Sequence, residues 1–184
     1  MRIAISGLSG CGNSTVTALV AERLGLVRVN YTFRDMAQEH GLSFEELREK
    51  AEKEFPEVDL DLDARQVDII LENKNCVVGS RLAVWLDSPV LLKRIDLPRD
   101  QWFKFDHKFW LDASMETRAQ RVAKRESRLY APVLAETRKR DEMDADRYKR
   151  IYGISLQAGA GLKIDTESLD AEGVALKIEE LVNK

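Results

Sequence analysis

Apolar residues follow two alternating rhythms along this chain. Short, nearly unbroken apolar runs fall at 2–6, 26–30, 75–79, 109–112 and 161–165, as in strands buried on both faces of a parallel sheet. Between them the apolar positions take on helical spacing. Val16, Leu19, Val20, Ala21 and Leu24 lead to Gly25, which predicts a helix over 14–24 with a glycine stop. Ser43 and Glu46 have capping-box spacing and open a helix to about residue 55. Pro56 punctuates the chain before an amphipathic stretch over 59–72. Ser114 caps a helix to about 127, a charged helix covers 132–152, and Asp170 caps a terminal helix. The alternation predicts an α/β fold: a parallel sheet with helices on both faces. Residues 87–108 follow neither rhythm. With Pro89, Pro98, Trp102, Phe103 and Phe105 they are open to being a surface insertion, a hairpin, a self-association face or a segment packed on the core.

The junction of the first strand and first helix carries the chemistry. Gly7, Gly12 and Ser14 match a phosphate-binding loop, in which Gly and four residues precede Gly-Lys-Ser/Thr, but Asn13 stands in the lysine slot. Glycines let the backbone wrap so that N–H groups converge on phosphate oxygens, and a helix N-terminus favours anions. Ser14 is placed to offer its hydroxyl to Mg²⁺ held between phosphates. A Gly-rich turn without a ligand is the bland alternative. Cys11 lies inside the loop, either as a thiol whose pKa is lowered by N–H dipoles or simply as a small residue that fits.

Composition narrows the classes. A length of 184 residues suits one domain, here 1–184, with a substantial core. The 29 basic and 32 acidic residues nearly balance at a net charge of −3, which argues against a dedicated nucleic-acid binder. No apolar stretch nears the roughly 20 residues of a membrane span, and the N-terminus has no secretory pattern; the expectation is a cytoplasmic protein without membrane contact. Cys11 and Cys76 are too few for a zinc site or a disulfide framework, and His40 and His107 lack ligand-like neighbours.

Arginines form the second constellation. Arg34 and Arg81 follow separate strands, at the end of the sheet where ligands gather, and guanidinium groups suit phosphate. Arg118, Arg121 and Arg125 share one helix face by spacing, and Arg140, Asp144 and Arg147 share another. Such stripes are commonly solvated surface. Beside a phosphate loop they also supply what phosphoryl transfer needs, positive groups around two anionic substrates and a lid that excludes water.

With these pieces in order, the chain resembles the nucleoside monophosphate kinases, and most closely the archaeal-type cytidylate kinases. The resemblance runs nearly full length. It is carried by the loop around Gly7–Val16, by Phe33-Arg34-Asp35-Met36-Ala37, and by Ser80-Arg81-Leu82-Ala83-Val84-Trp85. It continues through Trp110-Leu111-Asp112-Ala113, Arg121-Val122-Ala123-Lys124-Arg125-Glu126 and Arg147-Tyr148-Lys149-Arg150-Ile151-Tyr152-Gly153-Ile154. It implies a P-loop NTPase fold with a five-stranded parallel sheet, an acceptor-binding insertion over about 35–72 and an arginine-rich lid over about 125–142.

By resemblance, Gly7, Leu8, Ser9, Gly10, Cys11, Gly12, Asn13, Ser14 and Thr15 hold the ATP phosphates, and Arg121 stacks on the donor base. Arg34 and Arg81 grip the acceptor phosphate, Arg125 is a lid residue on the triphosphate side, and Arg140 and Arg147 neutralise the transferred group and contact the acceptor. Asp144 orients those arginines or meets the ribose. Asp61, Asp63 and Arg65 read the acceptor base, or else form a solvated face. Two departures stand out: Asn13, which bears on rate, and the length of 87–108, which bears on oligomeric state and acceptor choice.

The expectation is Mg²⁺-dependent transfer from ATP to a nucleoside monophosphate, CMP or dCMP first, by a monomer or weak homo-oligomer. Two rivals stay open. One is a kinase for another small acceptor, with Asp35 or Asp63 as base toward a hydroxyl; the other is a nucleotide-binding sensor that has lost turnover along with its lysine.

Overall fold

The computed structural model describes residues 1–157 and 161–184. Five parallel strands, β1 (Arg2–Gly7), β2 (Val27–Val29), β3 (Cys76–Gly79), β4 (His107–Asp112) and β5 (Leu162–Asp165), form one sheet in the order β2-β3-β1-β4-β5. Alternate side chains along each strand divide the core. Ala4, Cys76, Val78 and Trp110 point to one face, and Ile3, Ile5, Val77, Phe109 and Leu111 to the other. Apolar residues of α4 (Glu57–Glu72), α5 (Pro89–Arg94) and the C-terminal end of α7 (Tyr130–Tyr152) cover the first face. Those of α1 (Asn13–Leu24) and α8 (Ala171–Val182) cover the second. The three-layer α/β arrangement is the predicted one.

α1 lies close to the sheet. A Cβ on Gly79, at the end of β3, would come within 2.0 Å of Thr17 Oγ1, so only glycine fits beneath the helix. Two short helices, α2 (Phe33–Glu39) and α3 (Phe44–Lys53), precede α4, each opened by a complete capping box at Thr32/Asp35 and Ser43/Glu46. They share a small core of Met36, Ala37, Leu47 and Ala51 with Val58 at the start of α4. After β4, α6 (Met115–Glu126) turns at Ser127, which has a left-handed backbone, into the 23-residue α7.

The segment the sequence left open packs on the core. Phe103 and Phe105 are 7% exposed and meet edge to face, with ring centroids 5.4 Å apart. Asp87, buried, accepts from Phe105 N and pairs with Lys108 Nζ at 2.5 Å. The aromatics are therefore neither an exposed patch nor a hairpin. Among the described residues no helix is long and apolar enough to cross a membrane.

Candidate active site

At the carboxyl end of β1 the chain turns sharply into α1. Gly10 and Gly12 have φ of +87° and +100°, a left-handed backbone that side chains disfavour. No side chain caps α1, whose first turn exposes Ser14 and Thr15. Cys11 N donates to Leu8 O at 3.1 Å within the turn; the remaining N–H groups around it sit at a positive helix end, suited to phosphate.

Asn13 closes the loop from inside. Its Nδ2 donates to Gly7 O at 2.6 Å, while Oδ1 is buried without a partner. A Cβ on Gly7 would sit 2.7 Å from that oxygen, so the loop has no spare room there. Cys11 is buried and its thiol pKa is pushed up to about 11, burial outweighing the nearby Arg118 charge. The possibility of a lowered pKa is therefore corrected: Cys11 fills space in this loop.

A second group of charges gathers between the end of β3, α4 and α7. Arg81 Nη1 lies 2.7 Å from Asp144 Oδ2, and both side chains are largely buried. Arg147 Nε donates to Asp59 Oδ1 at 2.7 Å and its Nη2 meets the other carboxylate oxygen, a bidentate clasp of α7 on α4. Burial raises the Asp144 pKa against the opposing pull of Arg81 and Arg140. Arg140 has its own pKa lowered, by partial burial and then by the like charge of Arg81. Arg125, at the exposed end of α6, pairs with Glu126 and adds to the positive field at Arg140.

Beneath these charges α4 presents a buried polar face. Asp59, Asp63 and Gln66 are 5%, 5% and 6% exposed. Asp63 accepts from the Tyr152 hydroxyl, and burial pushes its carboxyl pKa up to about 7. Gln66 Nε2 donates to Tyr31 O at 3.1 Å, which turns Oε1 inward, buried and without a partner.

The predicted residues therefore divide. Arg81, Arg140, Asp144, Arg147 and Asp63 fall in one cluster, with Arg125 at its rim. Arg34 is exposed on α2, its guanidinium 4.6 Å from the Phe44 ring, with no contact to Arg81 among the described residues. Arg121 binds Thr166, through Nη1 to Oγ1 at 2.9 Å and through Nη2 to the carbonyl. Asp61 is exposed, and Arg65 lies over Tyr31 near Glu39, outside the buried face. Asp35 closes the cap of α2 by accepting from Thr32 N and Oγ1, so it is engaged in local structure.

The spacing of Arg118 with Arg121 and Arg125 suggested one arginine face. Arg118 is instead buried, turned toward the phosphate loop and α7. Sequence reasoning also passed over Asp59, Gln66 and Tyr152. The signal was present in Asp59, Asp63 and Gln66 at i, i+4 and i+7 on α4, a polar stripe on the side that faces the core.

The donor set near Ser14 bears on a metal. Among the described residues no group of three or more His, Cys, Asp or Glu could cage an ion. A lone exposed hydroxyl fits Mg²⁺ that arrives with a nucleotide and takes most of its ligands from phosphates and water.

The AAA domain family model matches residues 3–149. Cytidylate kinase 2 of Borrelia garinii subsp. bavariensis is 36% identical over 189 residues, spanning 100% of this chain and 97% of the relative. Cytidylate kinase of Archaeoglobus fulgidus is 38% identical over 178 residues, spanning 95% and 90%. The fold is shared with shikimate kinase from Acinetobacter baumannii in complex with shikimate, at TM-score 0.62 and 17% identity over 99% of this chain and 92% of that one. Deoxyadenosine kinase from M. mycoides with bound dATP superposes at TM-score 0.57 and 17% identity over the full length of both. Full-length relatives at this identity, on a phosphate loop facing an arginine cluster, place the chain in the cytidylate kinase family of nucleoside monophosphate kinases.

Proposed function

We propose that this member of the cytidylate kinase family transfers the γ-phosphoryl of ATP to CMP or dCMP. The observation that carries this reading is the buried polar face of α4 under the arginine cluster. Cytosine presents an exocyclic amine donor where uracil presents a carbonyl acceptor. Gln66 Oε1 lacks a donor, its amide is held the acceptor way round by Tyr31 O, and the Asp63 carboxyl lies one turn away on the same face. Uracil would set acceptor against acceptor at Gln66.

In this reading the loop from Gly7 to Thr15, through those of its N–H groups that are not bonded within the turn, holds ATP, with Arg121 on the base. Arg81 and Arg34 bind the acceptor phosphate. Arg125, Arg140 and Arg147 draw the phosphates together and stabilise the charge that spreads over the transferred group. Asp144 holds Arg81 in the charge cluster. No dedicated base is required, because the acceptor phosphate is already anionic near neutral pH. Ser14 would hold Mg²⁺ carried by the nucleotide, and that ion would neutralise charge between the β- and γ-phosphates. Residues 35–72 act as the acceptor-binding insertion and 125–142 as the lid.

A coupled ATP-consumption assay across CMP, dCMP, UMP, AMP and GMP tests the reading. CMP or dCMP should give the highest kcat/KM; a higher value for another monophosphate overturns the base assignment. The Asn13 geometry favours a second reading, because its Nδ2 is drawn onto Gly7 O and the side chain brings no positive charge to the phosphates. Tight ATP binding with no transfer to any monophosphate would mark a nucleotide sensor.

A further inference from the structure

Arg118 stands outside every role assigned so far, yet it is 3% exposed and touches three parts of the molecule. Its Nε donates to Ala113 O at 3.2 Å, at the end of β4. Its Nη1 donates to Ser9 O at 3.0 Å, in the phosphate loop, and lies 2.8 Å from Asp141 Oδ2 on α7. One guanidinium nitrogen thus bridges the loop to the helix that carries Arg140, Asp144 and Arg147.

The contact with Ser9 constrains more than one carbonyl. The Ser9–Gly10 peptide is trans, and in a planar trans peptide the C=O and N–H point in opposite directions. Drawing Ser9 O toward α6 turns the Gly10 N–H away from α6, and that N–H has no acceptor among the described residues. Gly10 is pressed against the same residue: a Cβ there would lie 2.7 Å from Arg118 O and 2.9 Å from Arg118 Cβ. Backbone and side chain of Arg118 together fix this peptide plane.

The Asp141 contact differs in kind. Both carboxylate oxygens are buried, and neither makes a well-formed hydrogen bond despite the short approach of Arg118. Charge holds α7 to Arg118 without a fixed hydrogen-bond geometry. Such a contact can keep its attraction while the helix pivots.

We infer that Arg118 is a positioning residue: it holds the phosphate loop in its anion-receptive form and, through Asp141, links occupancy of that loop to the arginine-bearing helix α7. The inference rests on nucleotide binding at the loop, and its first arm does not depend on which acceptor is used.

Calorimetry with a non-hydrolysable ATP analogue and Mg²⁺, alongside thermal unfolding, tests the first arm. Arg118→Met should weaken analogue binding by about 10- to 100-fold, the loss of a charge-assisted hydrogen bond that orients the site. Arg118→Lys should recover most of the melting temperature, since a lysine can still face Asp141. It should stay weak toward the analogue, because a single ammonium cannot reproduce the fork across Ala113, Ser9 and Asp141. A Met variant with a lowered melting temperature and unchanged analogue affinity would make Arg118 a purely structural residue. Full recovery of affinity in the lysine variant would assign the effect to charge alone. Either result overturns the positioning role.

The second arm measures how far the bound analogue tightens CMP binding, in the wild type and in Asp141→Asn. That factor should fall toward one in the variant. A wild type without synergy, or a variant with wild-type synergy, overturns the link to α7. Failure of CMP to bind at all would sink the acceptor assignment and leave the first arm standing.

Discussion

Asp63→Asn should change the pH dependence of stability in a defined direction. The Asp63 carboxyl is buried on α4 and accepts from Tyr152, and its pKa moves from the ordinary 3.8 to about 7 because burial disfavours the charge. Between those values the native state holds a proton that the unfolded chain has released. Stability therefore falls as pH rises through that window, and it levels off above 7. From pH 5 to pH 8 the wild type should lose up to about 2–3 kcal/mol to this group. Asparagine keeps an oxygen for the Tyr152 hydroxyl and carries no charge at any pH, so the variant should not share this loss. Its extra N–H₂ adds a constant cost, and comparing two pH values cancels that cost. Urea unfolding of both proteins at pH 5 and pH 8 gives the double difference, and other titrating groups drop out. Equal stability differences at the two pH values would show that Asp63 ionises normally and refute the burial reasoning.

Four further outcomes follow from the site. Asn13→Lys loses the bond to Gly7 O and must send its ammonium out of the packed loop toward the phosphates; ATP affinity or turnover should rise by up to about tenfold, and a loss of activity in steady-state kinetics would mean the neutral residue belongs to the loop. Gly79→Ala drives a methyl into Thr17 and should cost about 1–3 kcal/mol or more in urea unfolding, with partial recovery in a Thr17→Ala background; an unchanged midpoint refutes the close approach of α1. Arg81→Ala and Arg34→Ala should each weaken CMP binding by roughly 1.5–3 kcal/mol in calorimetry, but only Arg81→Ala, which strands the buried Asp144, should also lower the melting temperature. Arg140→Ala should depress turnover by about 10²-fold with little change in stability; normal turnover would return that residue to the solvated surface.

The strands were legible because burial on both faces leaves a continuous apolar signature. Their limits were less so. β4 begins at His107 because its pairing with β1 runs back to Ile3 and Ala4, and the tertiary contact of Lys108 with Asp87 brings a polar residue into that ladder. β2 shrinks to Val27–Val29, since an edge strand keeps only the residues that pair with β3. Residues 87–108 were illegible for a related reason. Their prolines break any period, and Phe103 and Phe105 are buried by the core they meet, not by a repeating face of their own.

The site was legible in its residue types and opaque in its pairings. A phosphate loop is a local object, so Gly7, Gly12 and Ser14 announce it within eight positions. An arginine cluster is not local. Arg147 finds Asp59 across 88 positions, and Arg118 finds Ser9 across 109. Spacing on a helix shows which side chains share a face, but not whether that face meets water or a carboxylate. Arg118, Arg121 and Arg125 make the point, for one stripe yields a buried bridge, a strut on Thr166 and an exposed pair. Burial separates them, and burial is decided by where α7 and the phosphate loop come to rest. The carboxylates carry the stronger signal for such a site. A long helix with Asp59, Asp63 and Gln66 on its core side has to find cations, hydroxyls or a ligand for them, because isolated buried charge is too costly to leave unmet.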